Sequence, residues 1–507
     1  MVASLFLSRV LGLVRDMVIS ARFGQDGLTD AYYASFQVPD ILFYLIAGGA
    51  LSSAFIPVFT EYLHTDREEE AWHIFSVVIT VMSVVVGAFI AFAWVYAEPL
   101  VGLMAPGLPA DSIPVAAQMS RILVPAQYAF FIGGVMLGTL YARQVFSVPG
   151  LAPNVYNIGI IIGALVISNV VVPGIVGMSW GALVGAFVGN IFIPMAVIRK
   201  MGVKFRPSFD LSHPGVKQVL KLMLPVVLGL SLPGVFAMIL KAAGSTYPDG
   251  MLSSIELGNR LMQAPLGVFG QALALAAFPA LSLFYAQGRM DMFRDQLTKT
   301  LRIVLFLSVP VSVLFVVIPG PIVEAVYMRG AFGPEDVVNT AAVLRMFGIG
   351  VAAWCLHPSL MRAYFSIKRT WPPVILGTVT TGVFALATYL LVRSDFGFQS
   401  LPLAASCAAV LLAIAMLIAV RRSVCEIDLA GIGVTFAKSV AACALPAAGV
   451  WYAMTHMDAL SGRFANFGLL FVLVIVVTVY AWAYYFLAKL FGMPETDTVK
   501  RGMSKQE

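Results

Sequence analysis

Charged side chains are scarce in this chain of 507 residues, of which only 11% are Asp, Glu, Lys or Arg. A soluble domain usually carries about 25% charged residues, because they cover the surface that faces water. Hydrophobic residues make up 60% of the chain instead. This balance excludes an ordinary soluble enzyme, a disordered scaffold and a peripheral nucleic-acid binder, and it indicates a polytopic helical membrane protein.

Motifs for catalysis, nucleotide hydrolysis and metal binding are also missing from the sequence. No GxxxxGK[ST] motif occurs, so we do not expect ATP hydrolysis. The five histidines form no recurring arrangement with Asp or Ser. The four cysteines contain no CxxC pair and lie in or beside apolar segments, which favours packing over disulfide or metal roles: Cys355, Cys407, Cys425 and Cys443. We therefore expect no catalytic residue, no metal, no cofactor and no enzymatic activity.

Long apolar segments, in contrast, are abundant. A helix needs about 20 residues to cross the hydrocarbon, and fourteen segments are long enough: 3–23, 29–62, 72–98, 114–141, 151–172, 176–198, 216–243, 252–286, 302–327, 337–366, 372–393, 400–420, 430–454 and 465–490. The first holds Arg9, Arg15 and Asp16, so we interpret it as a retained helix and not as a cleaved leader. Pro and Gly interrupt several segments, which fits either a transport pathway or plain kinking.

Basic residues divide unequally between alternate loops. One set of loops and the C-terminal tail hold 21 of the 32 Lys and Arg residues, whereas the other set holds five. Cytoplasmic loops carry the excess of Lys and Arg in membrane proteins. This pattern places the first set, and both termini, in the cytoplasm, which agrees with an even number of spans.

The two halves of the chain resemble each other at a fixed offset. The segment Gly48–Pro57 aligns with Gly270–Pro279, and five of the ten positions are identical. A six-helix unit keeps its orientation when it is duplicated, so an axis along the membrane normal would relate the halves, and rocking around a central site is the expected mechanism. The predicted fold is all-α, with two pseudo-symmetric six-helix lobes and two further C-terminal helices. Its predicted domains are a lobe, a cytoplasmic linker, a second lobe and a C-terminal pair with a tail: 1–200, 201–215, 216–424 and 425–507.

Charges within the first predicted helix form two faces. Arg9 and Asp16 are seven residues apart and share one face, whereas Arg15 and Arg22 share another. Arg15 has no obvious acid on its own face. Because an intramembrane charge costs at least about 2.5–3.5 kcal/mol, it usually faces a partner or a wet cavity.

Further charges lie in the second and eighth predicted spans. Asp30 and Asp40 belong to the second, and Glu256 precedes Arg260 by four residues in the eighth, the favourable order for a helical ion pair. If the repeat holds, these spans face each other across a central cavity. Arginine binds phosphate in a bidentate way and stays charged. The predicted cavity therefore suits a pyrophosphate. Three arginines would line it, namely Arg9, Arg15 and Arg260, and three acids would partly balance their charge, namely Asp16, Asp30 and Glu256.

Several stretches of the sequence resemble the signatures of one transporter family. They are Ser8–Asp16, Phe23–Gly24, Thr29–Ala31, Pro39, Ala54–Pro57, Ala152–Pro153 with Asn157, and Asn259–Met262 followed by Pro265 and Gly267. The chain is similar to the MurJ (MviN) family of the multidrug/oligosaccharidyl-lipid/polysaccharide exporter superfamily. The resemblance implies two six-helix lobes, plus two C-terminal helices that form a groove for a lipid tail. It also implies that the chain flips lipid II, the undecaprenyl-pyrophosphate-linked peptidoglycan precursor, across the bacterial inner membrane.

The same resemblance implies roles for particular residues. Arg9, Arg15, Asp30 and Arg260 would contact the headgroup or support its contacts. Asp16, Asp40 and Glu256 would be supporting charges. We expect a monomer that interacts with membrane lipids and not with nucleic acid, driven by the membrane potential or an ion gradient and without a cofactor.

The chain departs from the family pattern in the second helix. The family usually reads PNLLRR where this chain reads Pro39-Asp40-Ile41-Leu42-Phe43-Tyr44, so both arginines are replaced. The usual acid three residues after the eighth-helix arginine is Gln263. A flippase for another polyprenyl-pyrophosphate-linked saccharide and a drug/cation antiporter are therefore alternatives. A membrane-embedded enzyme would need an acid/base or metal cluster that is missing here, and a scaffold would not need the arginines for transport.

Overall fold

A computed structural model describes residues 2–44, 50–394, 396–456 and 466–498. These residues are almost entirely helical, and no strand occurs among them, so the predicted all-α class is confirmed. The first half contains α1 (Val2–Phe23), α2 (Gly27–Ser35), α3 (Gln37–Leu42), α4 (Ala50–His64), α5 (Glu68–Val95), α6 (Ala97–Met104), α7 (Ser112–Leu123), α8 (Ala126–Ala142), α9 (Ser147–Leu165), α10 (Val176–Phe187) and α11 (Ile193–Lys200). The second half contains α12 (Pro214–Gly244), α13 (Met251–Pro265), α14 (Ala272–Ala286), α15 (Met290–Val317), α16 (Pro319–Tyr327), α17 (Pro334–Ser366), α18 (Trp371–Val392), α19 (Ser400–Ser423), α20 (Leu429–His456) and α21 (Asn466–Leu490).

Eleven helical stretches of the described chain are long and apolar enough to cross a membrane. Some of them combine two successive helices, as α7 and α8 do in Ser112–Ala142. Three of the fourteen predicted spans are not among the eleven. They correspond to α1, which carries four charges, to the second span, whose described residues lie in α2, α3 and α4, and to α12. The protein is therefore a multi-pass membrane protein.

The order and length of the helices repeat along the chain. Helices α5 and α15 both have 28 residues, and their first residues are separated by the same offset that relates Gly48 to Gly270. The first residues of α6 and α16 have this separation too, and those of α9 and α18 nearly so. This periodicity supports the six-helix repeat that the sequence predicts. Gly48 and Gly49 of the aligned segment lie outside the described residues.

The chain divides into two compact units. Unit 1 comprises Met1–Ser253 with Gly330–Phe332, and unit 2 comprises Ser254–Arg329 with Gly333–Glu507. This division differs from the predicted boundary at 201–215, because α12 belongs to unit 1. Two contacts attach α12 there: the Tyr44 ring lies against Gly234, and Lys241 forms an ion pair with Asp40. The lobe boundaries drawn from the repeat stay a prediction.

The linker between α11 and α12 is attached to the start of α5, within unit 1. Lys204 Nζ lies 2.6 Å from Glu69 Oε1, and His73 Nε2 lies 3.3 Å from Asp210 Oδ2. The hydrogen bond with His73 holds the pKa of Asp210 below its usual range. Residues 201–213 therefore follow the surface of unit 1 instead of extending away from it.

The last helix, α21, is fastened within unit 2 by buried tyrosines. Tyr480 donates its hydroxyl to the Pro310 carbonyl at 3.1 Å, and Tyr484 donates to the Phe306 carbonyl at 2.8 Å. Beyond α21, Glu495 accepts from Arg302 Nε at 2.6 Å. Each bond joins the C-terminal segment to α15, so the two helices outside the repeat are part of the packed unit.

Glycines bring α9 and α10 into backbone contact. A Cβ atom added to Gly181 would fall on the Gly159 carbonyl oxygen and 2.9 Å from the Gly163 Cα, and one added to Gly163 would fall on the Gly177 carbonyl oxygen. Small residues at four-residue spacing allow membrane helices to approach this closely. This pair of helices supports the residues of α9 that face α1.

Replacing Gly181 by alanine is expected to destabilise the protein by about 1–3 kcal/mol, because the methyl group would overpack a backbone contact. Thermal unfolding of the purified protein in detergent measures the effect. Gly87→Ala on α5 is the matched control, since no atom lies within 4 Å of its added Cβ. Equal melting temperatures for the two variants would contradict the close α9–α10 packing.

Candidate functional site

A polar interface joins α1 to α9 inside unit 1. The Asn154 amide donates to Ser4 Oγ at 3.0 Å, and Ser4 Oγ donates to the Gly150 carbonyl. One turn further along α9, the Asn157 amide donates to the Ser8 carbonyl at 3.2 Å. These bonds fix the rotation of α1 against α9, and they bring the Asn157 side chain next to the arginine that follows on α1.

Arg15 is held by two side chains. Its Nε and Nη2 donate to Asp16 Oδ1 at 2.9 and 2.8 Å, and its Nη1 donates to Asn157 Oδ1 at 3.0 Å. The Arg15 side chain is 13% exposed and that of Asp16 is 5% exposed. A guanidinium has five N–H donors, so among the described residues these bonds leave one N–H on each terminal nitrogen. A phosphate can accept both groups, since arginine and phosphate pair through two parallel N–H···O bonds.

Arg15 has an acidic partner that helical faces did not predict. Arg9 and Asp16 are seven residues apart, which is why Asp16 looked like a partner for Arg9. Adjacent residues on a helix point about 100° apart, but the long Arg15 side chain reaches Asp16, and the two form an ion pair. Because this pair is formally neutral, Arg15 contributes directed hydrogen bonds more than net charge.

Arg9 lies on α1, six residues before Arg15, and is exposed. A guanidinium stays charged at physiological pH. Arg9 and Arg15 differ in exposure, although both belong to the predicted phosphate site. Arg15 is held by its neighbours and is mostly buried, whereas Arg9 is exposed.

Asp30 is buried, and its carboxylate caps the N-terminus of α13, a helix to which it does not belong. Its Oδ2 accepts from the Gly250 N–H at 2.8 Å, and its Oδ1 accepts from the Ser253 N–H at 2.7 Å. The first N–H groups of α13 have no partner within the helix, and the helix dipole favours an anion there. The structure thus gives Asp30 the task of fixing the start of α13, the helix that carries Arg260. A headgroup contact by Asp30 stays a prediction.

Asp40 forms an ion pair with Lys241 of α12, at 3.4 Å. It also lines a cavity of about 380 Å³ inside unit 1, between α3, α8 and α9. Lys241 was not among the predicted site residues, so this partner was not anticipated. The negative charge of Asp40 is therefore balanced within its own unit, and its role as a supporting charge of the site stays a prediction.

The remaining two predicted residues lie in unit 2. On α13, Glu256 is 5% exposed, whereas Arg260 is exposed. The other five predicted site residues belong to unit 1, and their convergence with Arg260 on one chamber stays a prediction. They are Arg9, Arg15, Asp16, Asp30 and Asp40.

Comparison with known proteins identifies the family. Residues 19–478 match the family model described as "Lipid II flippase MurJ". A relative described as "Probable lipid II flippase MurJ", from Bdellovibrio bacteriovorus, is 27% identical over 99% of this chain and 95% of its own length. A solved lipid II flippase MurJ in an inward closed conformation is 22% identical, covers 96% of this chain and 98% of its own, and superposes with a TM-score of 0.80.

A second solved structure shows how widely the fold is shared. An inward-facing multidrug resistance MATE family transporter of the MOP superfamily is 14% identical, covers 84% of this chain and 95% of its own, and has a TM-score of 0.68. That likeness concerns the fold alone. The family model, in contrast, spans nearly the whole chain, and the chain belongs to the lipid II flippase MurJ family.

Proposed function

We propose that this chain translocates lipid II from the inner to the outer leaflet of the bacterial inner membrane by alternating access. The geometry that carries the proposal is the Arg15 guanidinium, which Asp16 and Asn157 hold with two N–H groups left for a phosphate. Membership of the family supports the assignment of lipid II as the substrate.

The predicted arginines contribute to pyrophosphate binding in different ways. Arg15 is pre-organised, so little side-chain entropy is lost when it bonds a phosphate oxygen. Asp16 balances its charge, so Arg15 contributes directed hydrogen bonds, and Arg9 and Arg260 stay predicted contacts of the headgroup. Among these residues Asp30 acts indirectly, through the start of α13. The polyprenyl tail stays in lipid, where its hydrocarbon chain has no cost of transfer.

Release in the outer leaflet requires the outward-open state to bind the headgroup less tightly, because a ligand shifts an equilibrium only by its differential affinity for the two states. The membrane potential or an ion gradient supplies the energy, since an elementary charge gains about 2.3 kcal/mol per 100 mV. The protein acts as a monomer without a cofactor, with both termini in the cytoplasm, and with membrane lipids and not nucleic acid as its surroundings.

The proposal predicts that lipid II disappears from the outer leaflet when a bacterium that depends on this protein loses it. The measurement is labelling of lipid II on the outside of intact cells after depletion. Lipid II should accumulate inside, and re-expression of the protein should restore the outer signal. Unchanged outer labelling after depletion would contradict a flippase and favour a scaffold.

A further inference from the structure

The cavity of unit 1 has an aromatic wall that binding of pyrophosphate does not explain. Phe43 and Phe130 lie with ring centroids 6.5 Å apart at 77°, and Phe130 and Tyr156 lie 5.4 Å apart at 70°. Phe43 is 37% exposed, so part of its ring is accessible in the cavity that it lines. Phe43 and Tyr44 are also the two positions at which this sequence replaces the arginines of the resembled family.

The same cavity holds polar groups beside the rings. Gln127 is 5% exposed, and its Oε1 has no hydrogen-bond partner among the described residues. A buried acceptor without a donor is costly, which indicates that a ligand supplies one. Asp40 and Asn190 add further polar side chains to the lining. The volume of about 380 Å³ falls within the range of about 300–1,000 Å³ of ligand pockets.

Three kinds of occupant fit these groups poorly. A phosphate would meet the Asp40 carboxylate and no lysine or arginine, since Lys241, the partner of Asp40, is not in the cavity lining. A hydrocarbon chain would surround the polar side chains of Gln127 and Asp40 with apolar groups, which is unfavourable. An organic cation would bind well to the aromatic rings. However, Asp40, the anion that should attract it, is already paired with Lys241 at 3.4 Å.

We propose that this cavity is a carbohydrate subsite, which holds one sugar ring of the lipid-linked saccharide. A pyranose ring has a face of C–H groups, which packs on the electron-rich face of an aromatic ring. Its rim carries hydroxyl and acetamido groups, and one of these donates to Gln127 Oε1. This assignment rests on the proposed function and adds the residues that recognise the saccharide, apart from those that bind pyrophosphate.

The test compares two lipids that share undecaprenyl pyrophosphate and differ in the glycopeptide that only lipid II carries. Affinities of the purified full-length protein in nanodiscs are measured for undecaprenyl pyrophosphate and for lipid II. Wild-type protein should bind lipid II more tightly. Phe43→Leu keeps the apolar volume and removes the ring, so it should weaken binding of lipid II about fivefold and leave undecaprenyl pyrophosphate unchanged.

Two further variants separate recognition from folding. Phe43→Tyr keeps the ring and should keep the preference for lipid II. Phe92→Leu, on the exposed surface of α5, is the matched control and should change neither affinity. If Phe43→Leu weakens the binding of both lipids equally, or of neither, the carbohydrate subsite is wrong and the proposed flippase function is unaffected. Failure of the wild-type protein to bind either lipid would overturn the proposed function and the subsite with it.

Discussion

Replacing Arg15 by alanine is expected to reduce translocation of lipid II by about 10- to 100-fold. A hydrogen bond from a charged donor contributes about 1.5–3 kcal/mol, and each 1.4 kcal/mol corresponds to a factor of ten. The measurement is the rate of lipid II appearance on the outer leaflet, normalised to the amount of protein in the membrane. Arg15→Lys should fall in between, because lysine keeps the charge but cannot contact both Asp16 and Asn157 while offering a fork to phosphate.

Loss of folding has to be separated from loss of binding in this variant. Alanine at position 15 removes the ion pair between Arg15 and Asp16, whose side chain is 5% exposed. Removing one partner of a buried ion pair is destabilising. The double variant Arg15→Ala/Asp16→Asn removes both charges, so we expect it to recover thermal stability and to stay inactive.

Arg121 provides the matched control for Arg15. It lies on α7 in the same unit and donates from Nε to the Trp94 carbonyl at 3.1 Å. Arg121→Ala should therefore leave translocation within about twofold of wild type, since surface substitutions usually change stability by less than about 0.5 kcal/mol. A double variant at positions 15 and 16 with normal transport would show that Arg15 is a structural residue and not a phosphate ligand.

Replacing Asp30 by alanine is expected to destabilise the protein by about 3 kcal/mol. The change removes two charge-assisted hydrogen bonds and leaves the buried Gly250 and Ser253 N–H groups without an acceptor. Thermal unfolding and hydrogen exchange of the amides at 250–253 measure the effect. Those amides should lose protection before the rest of α13 does.

Asparagine at position 30 distinguishes capping from charge. It keeps one acceptor oxygen and loses the interaction of the carboxylate with the helix dipole, so we expect a smaller destabilisation, of about 1 kcal/mol. Glu61→Ala on the exposed face of α4 is the matched control and should be neutral. If the Asp30→Ala protein has the same melting temperature as the control but loses transport, Asp30 acts on the substrate directly and the capping role is wrong.

The architecture was predictable because hydropathy alone determines which segments can cross a membrane. Apolar length indicated the spans, and the offset between the aligned segments of the two halves reappears in α5 with α15 and in α6 with α16. The second span was drawn as one helix, although its prolines and glycines signal interruptions. The structure interrupts its helix at Phe36, between α2 and α3.

The partners of the site residues were harder to predict. Asn157 was visible only as part of a resemblance, and nothing in sequence spacing shows that its amide bridges the Ser8 carbonyl and Arg15. Lys241 lies 201 residues from Asp40, and the backbone donors to Asp30 lie 220 and 223 residues away. Such pairings depend on tertiary packing. Helical periodicity reports only neighbours three or four residues apart.

Flipping by the purified protein in liposomes is the decisive measurement for a lipid II flippase that binds through Arg15. Lipid II is placed in the leaflet that corresponds to the cytoplasm, a membrane potential and an ion gradient are imposed, and the arrival of lipid II in the other leaflet is followed over time. We expect the wild-type protein to move lipid II and the Arg15→Ala/Asp16→Asn protein to leave it in place. Equal rates for the two proteins, or no movement by either, would contradict this mechanism.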